Sequence, residues 1–243
     1  MKVKSVVLVM MVALIGGTMT SCAQESTYRN DDLTIKNVVV THHADLGVTV
    51  WSIEVSGTAG ATTPVKAGQL DGAPVLGYVF PTNLKSTDVG FGKTEGIVAL
   101  ALTSHPDFDD TPLWDENNDA VFDNDGKVWH PHWVVLTKDD RVEGGLSVKQ
   151  FKKADNTVVL PPTNPGMPMY MDSPGFPVTT SQSTITVVVP DYRMNHQKEF
   201  KYDGVTAFMK VNTSRDDLPM LGVNEVFSVA SGDLSLPYTV KSR

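Results

Sequence analysis

From Leu33 onward no stretch of this chain keeps a helical period for three turns, and that absence restricts the fold more than any other feature of the sequence. Short runs rich in Val, Ile, Thr and aromatic residues are instead separated by Gly, Pro, Asn and Asp. The 19 glycines and 15 prolines are spread along the whole chain and mark no linker, and no internal repeat is present. Strands are expected at 33–41, 48–56, 75–80, 97–103, 128–136, 146–151, 185–189 and 205–211, with two more near the C-terminus. Within 48–56, Thr49, Trp51, Ile53 and Val55 share one face, and Ser52 and Glu54 lie on the other. The expected fold is all-β, a single antiparallel β-sandwich-like domain over residues 33–243 with little helix. Two irregular loops, 104–127 and 161–183, are long enough to suggest a purpose.

The N-terminus reads as an address. Lys2 and Lys4 precede ten unbroken apolar residues, Val6 to Ile15, and Cys22, the only cysteine, follows a small-residue stretch. A membrane anchor needs roughly 20 apolar residues, so residues 1–21 read as a secretory signal peptide. Met19-Thr20-Ser21-Cys22 resembles the acylation site of a bacterial lipoprotein, with Met19 where a branched aliphatic residue is usual. That resemblance implies lipidation at Cys22, a polar tether over 22–32, and, because Ala23 rather than Asp follows the cysteine, transfer to the outer membrane. The membrane is then met through the lipid alone. Removing residues 1–21 takes away two lysines and no acids, so the formal net charge moves from −8 to −10. An acidic chain argues against nucleic acid as a partner and is compatible with cations. With one cysteine no intrachain disulfide is available, so the core, helped by any bound metal, has to hold the fold.

Three clusters carry candidate chemistry. In Trp129-His130-Pro131-His132-Trp133, an extended strand points both imidazoles the same way, with the tryptophans behind them. Two imidazoles at that spacing suit copper, zinc, nickel or iron. Pro131 lacks an N–H, which places it at a strand edge or entrance. Of the pair His42-His43, alternation allows only one to join, and His43 is taken as the third ligand. The competing reading is of structural histidines bonded to backbone. The second cluster is Met167, Met169 and Met171 in a Pro-rich stretch; spaced thioethers suit copper(I), or else simply fill core gaps. The third is the acidic loop. Asp115, Asn117, Asp119 and Asp123 fall at positions one, three, five and nine of a calcium loop, with Asp125 beside them and Asp107, Asp109 and Asp110 upstream. Ala120 and Gly126 stand where such a loop needs Gly and Glu, so it is not an EF-hand. It is a calcium site of another shape or a solvated turn capped by its own Asp and Asn side chains.

Taken together, the Trp129-His130-Pro131-His132 run, the His42-His43 pair and the acidic loop resemble the surface copper-binding proteins of methanotrophs, the MopE/CorA type. The resemblance implies a secreted, irregular β-protein with a copper(I) site of two histidines and an oxidised tryptophan, and a calcium ion elsewhere. That family's Trp-x-His spacing is absent here, since Trp129 directly precedes His130 and Trp51 has Ile53 two residues on, so no tryptophan is assigned that modification.

The expected function is that of an envelope lipoprotein binding a transition metal, copper before zinc, with a structural calcium. A calcium-stabilised glycan-binding or adhesion lipoprotein is one alternative, with the tryptophans and Tyr170 as a sugar platform. A metal-dependent hydrolase is another, with Asp45 or Glu54 as general base. The chain holds no GxSxG, HExxH, P-loop or dinucleotide fingerprint, nothing in it argues for turnover, and it points to no protein partner.

Overall fold

Alternation builds the first layer. Thr49, Trp51, Ile53 and Val55 are buried along one face of their strand, and the residues between them are half-exposed. The computed structural model describes residues 28–111, 115, 119–121 and 126–243. The strands, in order, are β1 (Ile35–His43), β2 (Val48–Val55), β3 (Pro74–Pro81), β4 (Ile97–Ser104), β5 (His130–Lys138), β6 (Leu146–Val148), β7 (Met171–Asp172), β8 (Val178–Ser181), β9 (Thr184–Pro190), β10 (Lys201–Tyr202), β11 (Val205–Val211), β12 (Leu221–Val229), β13 (Tyr238–Thr239) and β14 (Lys241–Ser242). Between them lie short 3-10 turns such as Asp31–Leu33, Ser86–Val89 and Asp191–Met194. The fold is all-β, as its sequence implies. The unexpected strands β7, β8 and β10 are two to four residues long, too short to carry a pattern.

One layer is a five-stranded sheet in the order β14-β1-β2-β9-β8, antiparallel except where β14 joins β1. The other layer closes on itself. Its strands run β4-β3-β11-β12-β6-β5, and β5 pairs back onto β4, making a six-stranded barrel with β7 added along β5. The sandwich is therefore a sheet packed on a barrel wall.

Wall strands β3, β4 and β5 are buried on both faces, which is why they read as continuous apolar runs rather than alternating ones. Their outer face, including Leu76, Tyr78, Phe80, Leu100, Leu102 and Trp133, packs on Trp51, Ile53, Ile185 and Val187 of the sheet. Trp51 sits at the middle of this core, edge-on to Phe80 and Trp133 and stacked on Phe200. The inner face, including Val75, Val79, Ala101, Val134 and Leu136, fills the barrel with Met209, Leu221 and Val223. The lumen is close-packed at Gly77, where a Cβ would lie 2.8 Å from the Met209 methyl.

The N-terminal segment is tied down from Tyr28 on. Arg29 bonds Glu225, and Asp32 accepts from the Thr58 N–H and the Thr62 hydroxyl. The predicted signal peptide and Cys22 lie outside the described residues.

Candidate metal centre

Register creates the site. Trp129, just before β5, and Trp133 and Val135 within it face the sheet, so His130 and His132 face the barrel interior. Pro131 lies near the start of β5, where the pairing is with Leu102 of β4 and neither β6 nor β7 has yet joined. This is the strand entrance its missing N–H requires. β4 runs antiparallel with Thr103 opposite His130, so the chain leaving β4 places His105 beside the same ring. The loop then turns back and inserts Asp110.

His105, Asp110, His130 and His132 are all buried, and one ligand atom from each lies within 4.8 Å of the others. Asp110 Oδ1 is 3.2 Å from Nε2 of both His105 and His130, and Asp110 Oδ2 is 3.5 Å from His132 Nε2. The Nε2 atoms of His105 and His130 face each other at 2.7 Å. Around an ion bound at about 2.0–2.1 Å, tetrahedral ligand atoms stand roughly 3.3 Å apart, close to the first three of these separations.

Each ring is fixed from behind. His105 Nδ1–H donates to the Phe108 carbonyl (3.0 Å), and His130 Nδ1–H donates to the Val128 carbonyl (2.6 Å). His132 Nδ1 is 3.0 Å from Ser173 Oγ. The Phe108 ring also stacks on His105 with centroids 4.1 Å apart. A carbonyl only accepts, so both rings carry their Nδ1 proton there and turn Nε2 toward the cluster, the orientation that metal-ligating histidines adopt. Thr103 Oγ1 lies 3.3 Å from His130 Nε2. Burial drives His132 down to about 3, despite the pull of Asp110 beside it, so this imidazole is neutral at pH 7. Burial pushes Asp110 upward, but the histidines around it, His105 first, outweigh it and hold the carboxyl well below its ordinary range. Asp110 Oδ1 and His132 Nε2 are buried with no hydrogen-bond partner. A carboxylate and facing ring nitrogens cannot sit together in a dry interior without a cation among them, either a metal ion or a shared proton.

Gly126 closes the loop. A Cβ there would lie 2.2 Å from the Phe108 carbonyl oxygen and 2.3 Å from that of His105, so the chain passes where only glycine fits.

The structure joins His130 and His132, as the HxH spacing implies, and their ring centroids are 4.8 Å apart. The third histidine of the group is His105. His43 ends β1 in the other sheet, paired with Val48, and its neighbour His42 bonds Asp191 at 2.9 Å. Met167, Met169 and Met171 line a cavity of about 260 Å³ that His105, Asp110 and His132 also line. Met169 and Met171 are buried there, so core packing and proximity to the histidines hold together. In the acidic loop, Asp115 accepts from the N–H groups of Asp119 and Ala120, and Asp119 from that of Val121. These carboxylates cap backbone, and no calcium site is evident among the described residues. Asn117, Asp123 and Asp125 lie outside them.

His105 carries no motif in the sequence, being a lone histidine after a strand. Pairing 97–103 against 130–136 in antiparallel register would have brought it to the site. Compared with family models, with curated proteins and with solved structures, the chain matches none.

Proposed function

We propose that this protein holds one divalent transition-metal ion between His105, Asp110, His130 and His132, and that it does so at the bacterial envelope, anchored through Cys22. One observation carries the reading: three imidazoles and a carboxylate, all buried, bring one ligand atom each within 4.8 Å of one another, with the His105 and His130 rings held by carbonyls behind them. Three imidazoles and a carboxylate suit Zn²⁺ and Cu²⁺; intrinsic affinity favours copper and tetrahedral preference favours zinc. Four protein ligands favour retention of the ion over turnover, which fits metal acquisition or buffering at the cell surface.

A second reading has its own support. Met167, Met169 and Met171 share a cavity with His132, and thioethers are ligands for copper(I). In that case the site binds the reduced ion and at least one methionine replaces Asp110.

Metal analysis of the secreted protein, purified without chelator or His-tag, tests both. About one equivalent of zinc or copper, lost in the His130→Ala/His132→Ala variant, is expected. Copper lost equally in a Met169→Ala/Met171→Ala variant selects the copper(I) reading. Calcium alone, or no metal after supplementation with zinc and copper, overturns both and leaves a shared proton in the cluster.

A further inference from the structure

The cavity beside the metal ligands is lined by both exposed and buried side chains. Its rim is formed by Leu70, Lys153 and Thr213, all exposed. Its walls are mostly sulfur and carbon, with Met169 and Met171 buried and Met167 and Met220 half-buried. Its floor is His105, Asp110 and His132, so the unpartnered Nε2 of His132 belongs to a residue lining the chamber. An apolar chamber of about 260 Å³ on a cluster of metal-ligating atoms is more than packing requires, since interiors leave few voids larger than a water molecule. Methionine walls adapt to varied apolar shapes.

We propose that this chamber binds a small apolar monocarboxylate, its alkyl or aryl body among the methionines and its carboxylate as a fifth ligand of the bound ion, whose coordination expands to take it. Charge selects the head group. A divalent ion with the single Asp110 carboxylate and neutral imidazoles leaves one buried positive charge, and one further anion cancels it. Lys153 at the rim attracts the same sign. The apolar walls select the body, and the volume of about 260 Å³ limits its size. The inference rests on the metal reading.

The test uses the full secreted protein loaded with Co²⁺, whose visible spectrum reports coordination, titrated with sodium octanoate and with sodium acetate. Octanoate is expected to change the cobalt bands saturably and to bind at least tenfold tighter than acetate, since burying two methylenes is already worth about tenfold. A Met220→Trp variant, and separately Leu70→Trp at the rim, obstructs the chamber. Either should keep the cobalt spectrum of the unliganded protein and lose the octanoate response. Octanoate binding no tighter than acetate, or unchanged binding in both tryptophan variants that retain cobalt, overturns the chamber and leaves the metal site standing. Failure of the wild-type protein to take up cobalt, zinc or copper overturns the metal reading and the chamber with it.

Discussion

The cluster is acceptor-rich, and the behaviour of single residues follows from that. Ser173 faces the back of His132 at 3.0 Å, so Ser173→Ala removes a group that orients the ring without removing a ligand. Metal affinity should fall about 10–100-fold, measured by competition with a chromogenic chelator, while the fold stays intact. Acid gives a second test. His132 is held near 3 when folded, whereas an unfolded histidine takes its proton near 6.5. Above pH 6.5 both states are neutral and stability is full. Below it the unfolded state gains a proton that the folded state refuses, so the metal-free protein loses stability progressively as pH falls from 6.5 toward 3. Urea midpoints of the apoprotein at pH 7.5 and 5.5 should show that fall; a cluster held by a shared proton would strengthen on acidification instead. Of these residues, the sequence made His130 and His132 legible because period two is local to the strand. Asp110 was only one acid among several, and His105 had no pattern, because both join the site through a strand pairing and a loop return that no short window contains.

At the scale of elements, the β5–β6 connection has its own electrostatic clamp. Asp139 accepts two bonds from the Arg141 guanidinium and a third from the Ser147 hydroxyl. The Arg141 bonds come first in holding its carboxyl well below the ordinary range, and the Ser147 bond adds to them against the opposing effect of burial. A depressed carboxyl contributes stability above its unfolded value and loses it as pH falls through the folded one. Asp139→Asn should therefore flatten the part of the acid unfolding curve below about pH 4 and leave the pH 5.5–7.5 step of the histidine cluster unchanged. The two steps belong to different elements and separate on one pH titration of stability. Elements were the most readable level of this chain. The alternation of β2 and the unbroken apolar character of β3 and β4 both survive in the fold. The sequence could not say that β3, β4 and β5 are wall strands shared by two cores. An apolar run looks the same whether its second face meets a sheet, a lumen or a ligand.

For the molecule as a whole, the barrel wall couples everything. The metal candidates sit on the lumen side of β5, and one residue further, on the opposite face, Trp133 meets Trp51 of the sheet. The β4–β5 pairing that closes the barrel is also the seam that the four ligands bridge, from His105 after β4 and Asp110 of the loop to His130 and His132 of β5. An ion there ties together strands and loop in the folded state and has no such set of ligands in the unfolded one. At a free concentration 100 times its dissociation constant it should stabilise the fold by about 2.7 kcal/mol. Because the wall is common to both cores, that gain should appear as one shifted transition, read alike by tryptophan fluorescence from the sheet side and by far-ultraviolet dichroism from all strands. Trp51→Ala, which empties the centre of the outer core, should cost about 3–5 kcal/mol and lower the same single transition with and without metal. Two separated transitions, with metal moving only one, would mean that the sheet and the barrel unfold independently and that the shared wall does not transmit the binding energy across the molecule.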